Sequence, residues 1–256
     1  MTEDPYRWLE AIANRREYIR TQLAGGSPVL AASRPEGVLL FGIGTGQSKV
    51  FEVFDRQALA GLGHPADLER IRQAIIDAAH LEAFTRAPED VALRRLVGQG
   101  LGPLLKSAFE QIFAPPYLIR LLLAEVGSTP ASDVFMKLGY DGGFTLQHGG
   151  ACVVTDDPER EAPAESGLAE ALAPGTSLAE SARALLLNWH RLQSSRTATA
   201  SVPFTNDVQA ILASLGERRI EAALLRRDSE RPARYEALDP AALGLPIPTA
   251  SRAPVV

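Results

Sequence analysis

The chain has 256 residues, 46% hydrophobic and 22% charged, with a single cysteine, which allows one sizeable core or two small ones and excludes a disulfide-stapled mini-scaffold. Its 26 basic and 31 acidic residues leave a net charge of −5, which argues against a phosphate-backbone footprint and so against a nucleic-acid partner. No apolar run approaches a bilayer span, and the start Met1-Thr2-Glu3-Asp4 lacks the basic and apolar parts of a secretory signal, so no membrane partner and a cytoplasmic location are expected.

Asp4 as a cap, Pro5 at the first helical position and Trp8, Ile12, Ile19 and Leu23 on one face predict a helix that stops at Gly25-Gly26. Two short apolar runs follow, Pro28 to Ala32 and Val38 to Phe41, joined by the turn-prone string Ser33-Arg34-Pro35-Glu36-Gly37, which reads as a hairpin. A second strand pair is expected at Lys49 to Phe54 and Ala58 to Leu62. A helix then opens at Pro65 with Leu68, Ile71 and Ile75 on one side. Val91 to Leu96 is helical in pattern, but Gly98, Gly100, Gly102 and Pro103 predict a break near Pro103 before Leu104, Leu105, Phe109 and Ile112 resume.

After Pro115-Pro116, the run Tyr117 to Gly127 reads as a buried strand, paired with Val134 to Leu138 and followed by turn chemistry at Tyr140 to Gly143 before Phe144. Thr155 to Ser166 has no periodicity and is expected to be a solvated loop leading to a short helix at Leu168 to Leu172. Ser177 and Glu180 form a capping box for a helix whose buried face is Leu178, Ala182, Leu185, Leu186, Trp189 and Leu192. Gln193 to Asn206 is a polar loop, Val208 to Leu215 and Ile220 to Arg227 are expected strands, and the latter turns back at Asp228-Ser229-Glu230. The Pro-rich stretch after Asp239 is expected to be extended or disordered. The chain thus divides into a short tail at 1–4, a single domain over 5–238 and a flexible tail at 239–256. Strands grouped between grouped helices, with no linker composition, predict an α+β fold, a four-layer αββα sandwich with an extra N-terminal helix.

The glycine run Gly42-Ile43-Gly44-Thr45-Gly46-Gln47 invites a nucleotide-loop reading, which its spacing refuses: Gln47 stands where a third glycine is needed, and Lys49 to Phe54 alternates like a strand. Cys152 and the scattered His64, His80, His148 and His190 lack metal-ligand spacing, so no metal and no cofactor are expected; Cys152 reads as a small buried hydrophobe, and Trp189, Phe109 and Phe135 as core. Only three residues are lysines, Lys49, Lys106 and Lys137, so their positions carry information.

Several strings, in order, resemble the α-type subunits of the proteasome core particle, especially the actinobacterial kind. They are Gly37-Val38-Leu39-Leu40-Phe41, Lys49 to Arg56 leading into Ala58 to Gly63, Pro116-Tyr117 before Ala124-Glu125-Val126-Gly127, and Tyr140-Asp141-Gly142. The resemblance runs from about Tyr6 to Leu238. It implies the αββα fold of the N-terminal-nucleophile hydrolases and a ring-interface helix carrying Trp8, Ile12, Ile19 and Leu23; a helix that merely caps its own core is the plainer alternative. It further implies a homo-oligomeric, heptameric ring with β-type proteasome subunits and an ATPase or other activator ring as partners. Lys49 is then the lysine that pairs with the C-terminal carboxylate of an activator tail, an ordinary solvated lysine being the alternative.

In the catalytic β-type branch, a threonine exposed by self-cleavage after glycine is the nucleophile. The corresponding junction here is Gly26-Ser27, so a self-processing peptidase or amidohydrolase using Ser27 and Lys49 stays open. Against it stand the lack of a carboxylate around Gly42-Ile43, the short spacing from Ser27 to Lys49 and the loss of a well-patterned helix. A sandwich protein without either assembly or chemistry is a third reading. The tail ahead of the helix lacks the Tyr-Asp-Arg gate string, which makes a closed axial gate doubtful; Pro5-Tyr6 could at most constrict a pore. The last residues do not form the hydrophobic-tyrosine-any-residue pattern of an activator tail.

Overall fold

A computed structural model describes residues 5–195 and 205–245. Helix α1, Pro5–Leu23, ends where Gly25 takes a positive φ of 90°, a conformation open to glycine because it has no Cβ. Ile12, Ile19 and Leu23 are buried in the chain's own core, and the position between them on this face is Arg15. Its guanidinium donates to the carbonyls of Ala108, Ile112 and Ala114, where a cation suits a helix C-terminus. Trp8, expected on the same face, stays 46% exposed, beyond the edge of the packed surface. Asp4 and the rest of 1–4 lie outside the described residues.

Among the described residues, ten strands form two antiparallel sheets. The first contains β1 (Val29–Arg34), β2 (Gly37–Gly44), β8 (Ala151–Val154), β9 (Arg219–Arg226) and β10 (Tyr235–Leu238), in the order β10-β9-β2-β1-β8. The second contains β3 (Val50–Phe54), β4 (Gln57–Gly63), β5 (Ile119–Glu125), β6 (Val134–Gly139) and β7 (Phe144–His148), in chain order. Both expected hairpins are present, with Arg34 opposite Gly37 and Phe54 opposite Gln57. Gly37 has φ 148°, and a Cβ there would lie 1.9 Å from the Leu225 carbonyl oxygen, so only glycine lets β9 approach.

Side-chain alternation divides the core into three clusters. Val29, Ala31, Leu40 and Cys152 of the first sheet meet Ala60, Leu122 and Phe135 of the second, with α1 packed against them. Leu30, Leu39, Phe41 and Leu224 point the opposite way, against α5 (Glu161–Ala171), α6 (Leu178–Ser194) and α7 (Val208–Ser214). On the far face of the second sheet, Leu59, Leu121 and Met136 pack against α2 (Pro65–Thr85), α3 (Leu93–Arg95) and α4 (Gly102–Glu110). A one-residue register slip would exchange these faces, so the clusters fix the pairing.

Four expectations need correction. No break occurs at Pro103: Leu96–Leu101 is a π-helical stretch in which the Gly102 N–H reaches back to the Val97 carbonyl. That wider turn leads into α4 with Pro103 in its first turn, where a missing N–H costs little. Within the expected loop 155–166, α5 starts at Glu161, with Pro163 likewise in its first turn. Val208 to Leu215 is not a strand; Val208, Ile211, Leu212 and Leu215 recur at helical spacing, and the Asp207 side chain caps α7 by accepting from Gln209 N–H at 2.9 Å. Finally, the chain stays packed beyond Asp239, through a turn that buries Leu243 and Leu245. The remaining tail, 246–256, and most of the polar loop, 196–204, lie outside the described residues.

Past the end of β9, Arg227 forms a buried bidentate pair with Asp133, at 2.7 and 2.9 Å. It also donates to the carbonyls of Arg34, Pro35 and Gly127. One guanidinium thus joins the β1–β2 turn of the first sheet to the β5–β6 connection of the second. Asp133→Ala should cost about 3–5 kcal/mol in urea unfolding because it strands a buried cation. Lys106→Ala, which breaks the exposed Lys106–Glu110 pair, should change stability by less than about 1 kcal/mol.

Candidate functional site

At the end of the sheets opposite Arg227, the link from α1 enters β1 through Ser27. The Ser27 hydroxyl donates to the Ile43 carbonyl at 2.5 Å and accepts from the Trp189 indole N–H at 2.9 Å. Its proton is therefore held by β2 and a lone pair by α6. The Ser27 carbonyl accepts from the Lys49 ammonium at 3.3 Å. The structure thus brings Ser27 and Lys49 together, with the ammonium bonded to the carbonyl instead of the hydroxyl.

Lys49 precedes β3 and is held by backbone on both sides. Its carbonyl accepts from Gly61 N–H at 3.0 Å. Its N–H and that of Val50 donate to Glu221 Oε2 at 2.7 and 3.2 Å. The lysine stem lies against Gly44, where a Cβ would come within 2.9 Å of Cε. Glycine at the end of β2 therefore makes room for this side chain.

A pocket of about 340 Å³ opens here, and its walls include Ser27, Gly44, Thr45, Gln47, Lys49 and Arg218. Among the described residues, no carboxylate lines it. Arg218 donates to the Ser214 and Leu215 carbonyls at the end of α7, and its guanidinium sits 5.3 Å from the Trp189 ring centroid. Two cations with neutral donors, and no anion among the described lining residues, suit a single negatively charged group. Burial lowers the Lys49 ammonium to about 8, with the Glu221 charge partly opposing that shift.

Sequence reasoning singled out Ser27 and Lys49 but missed Glu221 and Arg218, and took Trp189 as core alone. Trp189 is buried, and a buried indole N–H needs a partner, but nothing in the sequence says which. Cys152 lies fully buried on β8, and burial and the charge of Glu165 push its thiol well above the usual range. Near it, Glu161 forms ion pairs with Arg120 at 2.8 Å and Lys137 at 3.1 Å, and Lys137 also meets Glu165 at 2.6 Å, tying α5 to the second sheet. His64 caps α2, its Nδ1 accepting from Ala66 N–H, and His80 meets the Phe54 ring edge-on. Among the described residues, no group of three or more His, Cys, Asp or Glu is placed to hold a metal ion.

Two measurements check this geometry. Because Lys49 is held near 8 against 10.5 when free, the unfolded chain binds more protons between those pH values, so this group makes stability rise with pH there. Lys49→Met should remove that rise, at most about 3 kcal/mol, in urea titrations from pH 7 to 10.5. Trp189→Phe, which leaves the Ser27 hydroxyl without its donor, should cost about 1–2 kcal/mol in the same assay.

No family model matches the chain. Curated relatives do. A proteasome subunit alpha from Streptomyces scabiei is 32% identical over 149 residues, 56% of this chain and 58% of that protein. One from a Nocardioides species is 28% identical over 239 residues, 91% and 84% of the two chains, and one from Actinosynnema mirum is 33% identical over 138 residues, 52% and 51%. The chain spans less than two thirds of the length of the Streptomyces relatives it matches. In sequence, the chain is thus similar to actinobacterial proteasome α subunits over part or most of its length.

Proposed function

We propose that the chain is a non-catalytic α-type ring subunit of a bacterial proteasome-like core particle, working in the cytoplasm. The observation that carries this reading is the continuity of α1 with the core: Ile12, Ile19 and Leu23 fill the space at the sheets, Arg15 binds three carbonyls, and the chain runs on into Ser27. Release of Ser27 as a new N-terminus would discard that packing. The hydroxyl's bonds to Ile43 and Trp189, with no carboxylate among the described residues lining the pocket, also weigh against a nucleophile. Three apolar clusters, one between the sheets and one outside each, support the four-layer αββα arrangement of the N-terminal-nucleophile hydrolases.

The exposed apolar side chains Trp8, Leu9 and Tyr18 are the part of α1 assigned to a neighbouring subunit, while Ile12, Ile19 and Leu23 hold the helix in place. The ring would stack on a β-type ring that carries the peptidase sites and admit only chains unfolded enough to enter. Lys49 would receive the C-terminal carboxylate of an ATPase or other activator tail, because the described residues lining its pocket include two cations and no carboxylate.

Intact mass and solution size test the assembly. An unprocessed chain in a large ring, stacking with β-type subunits, is expected; a product beginning at Ser27 would overturn the reading in favour of a self-processing hydrolase. A full-length monomer indifferent to β-type subunits would overturn it too. Lys49→Ala should leave ring size unchanged and weaken activator docking about tenfold or more, read by titration of the activator tail.

A further inference from the structure

We propose that Glu221 is the positioning residue of this pocket: by bridging the amides of Lys49 and Val50 it seats the lysine and keeps it charged for an incoming anion. This rests on the reading of Lys49 as the docking cation. Glu221 stands on β9 of the first sheet, whereas Lys49 and Val50 begin β3 of the second, so the two bonds to Oε2, at 2.7 and 3.2 Å, cross between sheets. A carboxylate that only tied sheets together would serve equally well as a neutral amide. This one also brings a negative charge whose field partly opposes the effect of burial on the Lys49 ammonium.

The other charged and titratable groups around Lys49 do not replace that charge. Arg218, on the pocket wall, is a cation and supplies no negative charge. Tyr235 donates its hydroxyl to the Val50 carbonyl at 3.3 Å and is pushed up to about 12 by burial and by Glu221 and Glu52, so it stays neutral near pH 8. Glu52 is exposed on β3, where water screens its charge. Glu221 is thus the anion among the described residues that is fixed against the Lys49 backbone.

The test needs no activator, because the chain has only three lysines. In the purified full chain with isotope-labelled lysine, each side chain gives its own NMR signal, and Lys49→Arg identifies that of Lys49. The expected midpoint of that signal is near pH 8. Glu221→Gln retains an oxygen for both amides and should move the midpoint down by roughly half a unit or more. Glu221→Asp, which keeps the charge, should stay closer to the parent. An unchanged midpoint in a folded Glu221→Gln protein would overturn the proposal.

A second arm uses a synthetic peptide ending in Leu-Tyr-Ala, with a free C-terminal carboxylate or as its amide. Binding of the acid should fall as pH rises through about 8, and at lower pH in Glu221→Gln. If acid and amide bind alike while the midpoint still shifts, the docking reading fails and the hold of Glu221 on Lys49 stands.

Discussion

Two sheets that meet face to face through aliphatic side chains can slide, because apolar contact has no direction. Arg227 removes that freedom. Each of its guanidinium nitrogens is bonded, to Asp133 and to carbonyls on both sheets, so a displacement of one sheet against the other breaks several buried bonds at once. A charged pair in such a place gives little net stability compared with well-packed apolar residues. Its value lies in geometry, since the strands that leave this clamp determine what arrives at their far ends.

What arrives is the pocket. Strand β2 runs from Gly37, beside the Arg227 clamp, to Gly44, beneath the Lys49 stem, and β9 runs antiparallel to it with Gly44 opposite Arg219. At that end the fastenings are again polar: Trp189 to Ser27, Ser27 to Ile43, and Glu221 to the head of β3. Apolar layers therefore supply the attraction, and a few directional bonds at each end set the alignment. The same division explains α1, which is held by three aliphatic side chains and oriented by Arg15.

The strand pairs and the long helices were legible because their periodicity is local: Leu68, Ile71 and Ile75 sit on one helical face, and Leu39 and Leu40 on opposite strand faces. Helix α7 was misread although Val208, Ile211 and Leu212 have helical spacing, because a seven-residue, mostly apolar segment satisfies either period loosely and only the Asp207 cap decides it. The π-helical stretch before Pro103 was visible as glycine and proline but not as geometry, since those residues signal interruption without saying what form it takes. In the pocket, scarcity pointed to Lys49. Glu221 lies 172 residues away in sequence, and a carboxylate on a strand looks the same whether it faces water or two amides.

The three lysines also differ in reach. Lys137 is tied to Glu161 and Glu165 with 16% of its side chain accessible, and Lys49 is half-buried in its pocket, whereas Lys106 on α4 is 60% accessible. Acylating or cross-linking reagents, and enzymes that conjugate proteins to amines, therefore find one open side-chain target in the chain. Above about pH 8 a second amine becomes nucleophilic, at Lys49, where only a reagent small enough to enter the pocket can meet it. Chemical labelling of this protein is thereby a reporter of pocket occupancy.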